Sequence, residues 1–300
     1  MSFSAEIKSE LCSVDNIPEC CLHAQVYGLV LFAHFSSYNL SITTENKDVF
    51  DLYVKSMTDY VGCSLTVNTA GKRKMSASVD DSENKRICFE KFGHSVRETA
   101  TRINYANIAN ECCVRAFLRG AFLACGSVSD PNKTYHLEFV VPFKKLSNDL
   151  MKIMDELSLS PKYVMRKGNH IIYFKDSESI EDFLAYIGAQ NSSLYMIGVK
   201  IEKDVKNTVN RKINFELCNM EKTLDASKKQ IESIEYIKNT IGINALPENL
   251  RAIALLRLEN PDSSLSELVE LYDGDISRSG MKHRIDKIME YSEKVKSRGV

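Results

Sequence analysis

The sequence predicts an α+β domain made of two repeats about a pseudo-twofold axis, followed by an all-α domain that carries a helix-turn-helix. Three observations predict this. First, Cys112–Val128, CCVRAFLRGAFLACGSV, recurs as Cys20–Ser36, CCLHAQVYGLVLFAHFS, after a shift of 92 positions. The shift superposes Cys20 on Cys112, Cys21 on Cys113, Ala24 on Ala116 and Gly28 on Gly120, and the same kind of apolar run follows each glycine. This is an internal repeat. Second, both copies carry small residues at helical spacing, a stripe that lets two helix backbones approach closely. A glycine inside a helix costs up to about 1 kcal/mol against alanine, so its presence in both copies requires a packing reason. Third, the last forty or so residues read as short helix, glycine-containing turn, longer helix.

Taken in order, Ser4 can cap a short helix over Ala5–Leu11, and the first repeat helix runs from about Cys21 to His34. Asn39–Thr43 alternates as a strand, Val49–Tyr60 has apolar residues at helical spacing, and Gly62 ends it. Ser64–Asn68 and Arg86–Glu90 read as strands flanking the basic turn Gly71–Lys74. The second repeat follows the same order, with helix Val114–Cys125, strand Tyr135–Val141 and helix Leu146–Leu157. A strand pair, Lys162–Arg166 and His170–Lys175, then turns at Lys167–Asn169, and helix Asp176–Tyr186 closes at Gly188. Each sheet can bury one face against the helices and leave the other open. The open face would carry Ser41, Thr43, His136, Glu138, Tyr163 and Lys175, a set without basic bias, so a DNA surface and a protein-contacting or solvated one both stay open.

Positive charge rises between Lys200 and Lys212, which reads as a linker. The expected layout is residues 1–199 for the first domain, with repeats at about 1–92 and 110–190, residues 200–212 for the linker and 213–300 for the second domain. In that second domain Asn219 can cap a long helix ending before Gly242. Pro247 sits at the start of a further helix over Leu250–Leu258, and Ser264 with Glu267 makes a capping box for a short helix, Leu265–Tyr272. The turn Asp273–Asp275 leads to a third helix from Ser277, with Ile276, Met281, Ile285, Ile288 and Met289 on one core-facing stripe, so the motif spans about 264–296.

Composition bounds the function classes. At 300 residues, 44% hydrophobic and 26% charged, the chain has room for two ordinary globular domains. No apolar run reaches the roughly eighteen residues of a membrane span, and the opening SFSAEIKSEL is not a signal peptide, so a cytoplasmic protein without membrane contact is expected. Nine cysteines with no CxxC spacing argue against a disulfide framework or a zinc site and for free core thiols. A net charge of −1 excludes a uniformly basic nucleic-acid coat, so any such face is local.

Leu118–Gly126, LRGAFLACG, resembles the LAGLIDADG helix of homing endonucleases at Leu118, Gly120, Ala124 and Gly126. The metal-binding carboxylate of that family falls on Cys125 here, and on Ala33 in the first copy, neither of which offers the hard oxygen that magnesium requires. A degenerate LAGLIDADG homing-endonuclease-like domain is therefore expected, with no catalytic residue, metal or cofactor. Arg115–Val128 and Tyr135–Phe139 more closely resemble segments of the bacterial WhiA family, as does ISRSGMKHRIDKI near the carboxy terminus.

Charge sharpens the reading of the helix-turn-helix. Asp262–Asp275 holds five acidic residues and no basic one, whereas from Ile276 onward seven basic residues face three acidic ones. The second helix of such a motif lies in the major groove, with its first turns against base edges. Ser277, Arg278, Ser279, Lys282, His283, Arg284 and Lys287 are the candidate DNA-binding residues, all able to donate to bases or phosphates. The WhiA resemblance implies a sequence-specific regulator that binds double-stranded DNA and acts in cell division, chromosome segregation and, in spore formers, sporulation. Two other readings stand beside it: a metal-dependent homing endonuclease or RNA maturase, which the residues at positions 33 and 125 disfavour, and a protein-interaction platform in the first domain.

Overall fold

The computed structural model describes residues 2–15, 17–36, 38–69, 74–98 and 100–297. Gly71, Lys72 and Arg73 of the expected basic turn, and Arg298 of the basic tail, lie outside the described residues. By their contacts the residues divide into two units, 1–204 and 205–300, with separate hydrophobic cores.

In the first unit the two repeat helices are α2 (Glu19–Phe32) and α5 (Glu111–Cys125), preceded by α1 (Phe3–Cys12). The cap of α1 is Ser2 and not Ser4, whose hydroxyl instead accepts from the Val128 amide at 3.3 Å. The glycines of α2 and α5 face each other: a Cβ added at Gly28 would stand 2.2 Å from the Phe117 carbonyl oxygen, and one at Gly120 would stand 2.1 Å from that of Gln25. Backbone thus lies on backbone, and only hydrogen at these two positions permits it. Around this crossing Ala24, Tyr27, Leu29, Phe117, Ala121 and Phe122 are fully buried.

Each repeat adds one four-stranded antiparallel sheet with the same strand order. The first has β1 (His34–Phe35), β2 (Leu40–Thr44), β3 (Thr66–Asn68) and β4 (Met75–Ser78) in the order β1-β2-β4-β3. The second has β5 (Gly126–Val128), β6 (Leu137–Val141), β7 (Lys162–Arg166) and β8 (Asn169–Phe174) in the order β5-β6-β8-β7. Arg166 pairs with Asn169, and Lys167 and Gly168 both have positive φ (49° and 80°), the two-residue turn whose twist matches the strands. In β6 the residues alternate, with Leu137, Phe139 and Val141 inward and Glu138 and Val140 outward.

Helices cover the inner face of each sheet. In the first repeat these are α3 (Lys47–Lys55), which continues as a wider π-type turn over Ser56–Val61 to a left-handed Gly62, and α4 (Ser82–Lys91). The second repeat has α6 (Lys144–Glu156) and α7 (Ser177–Ile187). Helix α4 corrects the strand expected at Arg86–Glu90, and the strand after the basic turn is Met75–Ser78 instead. The Asp81 carboxylate caps α4 by accepting from the Asn84 amide at 2.9 Å, and Arg86 pairs with Glu83 and Glu90 one turn to either side.

The expected linker 200–212 is helical throughout, inside α8 (Gln190–Thr240). Asn219 therefore lies within that helix and does not cap it. Between Lys200 and Thr240 the sequence has no glycine or proline, so a charge-rich run of good helix formers continues unbroken to Gly242, whose φ of 84° ends it.

Candidate nucleic-acid interface

In the second unit three helices follow α8: α9 (Glu248–Glu259), α10 (Leu265–Leu271) and α11 (Arg278–Ser297). Ile253, Ala254, Leu268, Met281, Ile285 and Ile288 form their common core with Ile234 and Ile237 of α8. The apolar stripe of α11 fixes which side of that helix is left to solvent.

Both ends of the α9–α10 connection are tied down by polar groups. Arg257 is 1% exposed and donates to the carbonyls of Asn260 (3.3 Å) and Ser263 (2.6 Å). Burial without a carboxylate partner lowers its pKa from the usual arginine value. Next to it the expected capping box is formed, with Glu267 accepting from the Ser264 amide at 2.6 Å and Ser264 accepting from the Glu267 amide at 3.3 Å. These bonds hold the Glu267 carboxyl below its ordinary pKa.

The turn Tyr272–Ser277 carries the acidic residues and delivers the chain into α11. Ser277 accepts from the Gly280 amide at 3.1 Å, so its side chain serves as the cap of α11. Arg284 is half-buried and lies over Tyr272, donating to the phenol oxygen at 3.3 Å. Arg278, Ser279, Lys282, His283 and Lys287 are all exposed. From Arg278 to Ile285 this helix has no acidic residue; Asp286, Glu290 and Glu293 come later. The amino-terminal turns therefore present cations and hydroxyls together with the positive end of the helix dipole, an arrangement suited to a polyanion. Arg278 also borders a polar groove lined by Lys222, Thr223, Gln230 and Ser264.

The first unit offers a different surface. Ser41 pairs with Ser78, and Thr43 with Ser76, so the open side of its first sheet is a hydroxyl-rich patch, with the Asp80 carboxylate accepting from Thr66 and Ser78. In the second sheet His136 and Glu138 are linked at 3.1 Å and Glu138 pairs with Tyr173 on the open face, whereas Tyr163, expected there, pairs with inward Ile172 next to Phe139 and so lies on the helix-facing side, stacked on His170. Tyr163 and Lys175 are exposed, the latter over the Tyr173 ring.

Where homing endonucleases hold their metal, this chain has Ala33 at the carboxy-terminal cap of α2 and Cys125 as the last residue of α5. Burial pushes the Cys125 thiol up to about 12, so it stays protonated. Beside it the Lys8 amine donates to the Leu123 carbonyl at 3.0 Å, with its pKa lowered by burial. A thiol, a methyl group and an amine supply none of the oxygen ligands that magnesium requires.

At the other end of the same helices the fold assembles what the spacing of the cysteines did not reveal. Cys20, Cys21, Cys112 and Cys113 have their sulfurs within 4.8 Å of one another. The signal was present as two Cys-Cys pairs in register within the repeat, but it becomes a cluster only once the pseudo-twofold crossing is known.

The comparisons with known proteins bear on this arrangement as a whole. The family description "WhiA C-terminal HTH domain" matches residues 209–292, and "WhiA LAGLIDADG-like domain" matches residues 114–206. The chain is 35% identical over 317 residues to a protein of Alkaliphilus metalliredigens named probable cell division protein WhiA, across 100% of both chains. It is 38% identical to the protein of that name from Alkaliphilus oremlandii, across 98% of each. The chain belongs to the WhiA family. The crystal structure of full-length DUF199/WhiA from Thermatoga maritima covers 98% of this chain and 99% of its own, with a TM-score of 0.58 at 23% identity, a likeness of fold. The WhiA match includes both α5 with its altered motif and the basic helix α11, and no helix among the described residues is long and apolar enough to cross a membrane.

Proposed function

We propose that this WhiA protein is a sequence-specific regulator that binds double-stranded DNA through α11 and has no nuclease or other enzymatic activity. The observation that carries the proposal is the exposed, acid-free first two turns of α11, where Arg278, Ser279, Lys282 and His283 project from a helix docked by its apolar stripe. Arg278 and Lys282 lie one turn apart and act as base readers. Ser279, His283 and Lys287 flank them, Ser277 fixes the start of the helix, and Arg284 braces the turn through Tyr272. Lys294 and Lys296 lie near the far end and meet at most phosphates. The thiol and methyl at positions 125 and 33 support the absence of nuclease chemistry.

The family membership supports action in cell division. Chromosome segregation, sporulation in a spore-forming host, and a cytoplasmic, nucleoid-associated location are the finer parts of this reading. Residues 1–199 act as the LAGLIDADG-like domain and residues 213–300 as the DNA-binding domain, joined through 200–212. The hydroxyl-rich open face of the first sheet and the mixed set His136, Glu138, Tyr173 and Lys175 on the second favour contact with a protein partner over a second DNA interface.

The experiment compares Arg278→Ala and Lys294→Ala on a mapped site and a scrambled duplex over a range of salt. A lost base contact costs about 1–3 kcal/mol and acts on one sequence, while a lost phosphate contact weakens all sequences and lowers the salt slope by about one. Arg278→Ala should shrink the ratio of specific to nonspecific affinity, and Lys294→Ala should leave it nearly unchanged. The opposite pattern would remove α11 as the reading helix.

A further inference from the structure

We propose that Cys20, Cys21, Cys112 and Cys113 form a tetrahedral thiolate site for a single zinc ion that ties the two repeats together. The four sulfurs lie within 4.8 Å of one another, with 3.9 Å between Cys20 and Cys21 and 4.0 Å between Cys112 and Cys113. A tetrahedron with a Zn–S bond of about 2.3 Å has sulfurs about 3.8 Å apart, so the two pairs already stand at that spacing and the cross-pairs are within about 1 Å of it. Four sulfurs this close enclose one ion and leave no room for a cluster of metals.

The fold brings the pairs together at two helix ends. Each pair occupies the first turn of its helix, since α2 begins at Glu19 and α5 at Glu111. Two helix amino termini therefore converge on the sulfurs, and such ends stabilise thiolates. Cys113 already reaches across the repeat boundary, its thiol donating to the Cys20 carbonyl at 3.6 Å. Cys21 and Cys113 are buried while Cys20 and Cys112 are exposed, which gives the ion a path in and a dry inner side. Without an ion, burial and the neighbouring thiols push Cys21 up to about 12, and a central cation reverses that balance. The donor set contains only sulfur, which selects a soft, tetrahedral ion over magnesium or calcium.

A disulfide is the competing chemistry for close cysteines. All nine cysteines are free, and Cys20–Cys21 and Cys112–Cys113 are each adjacent in a helical turn, where the backbone holds neighbouring sulfurs apart. Only a bond between the helices competes, and it would leave two thiols unused.

The test uses the reduced full chain, stripped by a chelator and titrated with Co²⁺ and then Zn²⁺. We expect one ion per chain, the intense visible absorption of tetrahedral thiolate-bound cobalt, its displacement by zinc, and protection of four thiols from alkylation. Cys20→Ser and Cys112→Ser replace exposed side chains, so the fold survives, and each should lose about 100-fold or more in affinity. Cys218→Ser, an exposed cysteine of the other unit, should bind as the parent does. Zinc should raise the unfolding temperature of the parent and of Cys218→Ser but not of Cys20→Ser. Uptake of no ion by the reduced chain, equal affinity in parent and Cys112→Ser, or a cobalt spectrum without thiolate bands would overturn the assignment.

Discussion

Replacing Gly120 by alanine tests whether the crossing of the two central helices is as close as the structure has it. The added methyl would meet the Gln25 carbonyl oxygen at 2.1 Å and the Leu29 amide nitrogen at 2.7 Å. Both are backbone atoms, so no rotamer change relieves the clash. Reaching ordinary contact near 3.4 Å needs the helices to part by about 1.3 Å, and a gap of even 0.5–1 Å forfeits a quarter to a half of each dispersion contact along the seam. Fully buried Tyr27, Phe117 and Ala121 line that seam. Overpacking of this kind costs typically about 1–3 kcal/mol and sometimes more, while alanine returns up to about 1 kcal/mol of helix propensity. With backbone on both sides the loss falls at the upper end, and the net destabilisation is about 2–3 kcal/mol. For a unit of this size that lowers the melting temperature by roughly 4–12 °C. The assay is thermal unfolding followed by alkylation of buried thiols, because buried Cys21, Cys63, Cys88 and Cys113 all lie in the first unit and report on it alone. Gly198→Ala is the control: its added Cβ meets nothing within 4 Å, so the substitution should be neutral or stabilise by up to about 1 kcal/mol. A Gly120→Ala protein that melts with the parent would refute the close crossing.

Three further outcomes follow from the same structure. Purified protein incubated with duplex DNA and magnesium or manganese should leave the DNA intact, and metal-dependent cutting that persists through further purification would restore a nuclease reading. Arg257→Ala removes the two bonds that hold the α9–α10 connection and leaves a cavity, so it should cost about 2–4 kcal/mol in the second unit, read from hydrogen exchange of α9 and α10. Glu267 has a folded pKa below its unfolded one, so the cap it provides is present above the ordinary glutamate range and is lost as pH falls through the depressed value. Protection of α10 should decline in that acid window in the parent, and Glu267→Gln should flatten the dependence; an identical acid profile in the two proteins would count against the cap.

What the sequence determined by itself is local. The Ser264–Glu267 capping box and the basic first turns of α11 depend on residues a few positions apart, and the repeat of Cys20 and Gly28 at Cys112 and Gly120 on a pattern within each helix; each stands where its spacing placed it. The local readings that differ from the structure do so for physical reasons. Arg86–Glu90 is too short an apolar run to separate strand from helix by period, and the Asp81 cap with the Glu83–Arg86–Glu90 ion pairs decided for helix. Lys200–Lys212 reads as a linker from its charge, and the boundary between the two units falls inside it, but without glycine or proline nothing in it stops a helix already running. The tertiary structure alone decided the rest. The sulfurs of Cys20, Cys21, Cys112 and Cys113 meet only because two helices 92 residues apart cross at their glycines, and Arg284 is spent on Tyr272 while Arg278 and Lys282 stay free because the core fixes the rotation of α11. Periodicity names the face a helix buries; which distant side chains converge at its ends is set by the angle and distance at which two such faces pack.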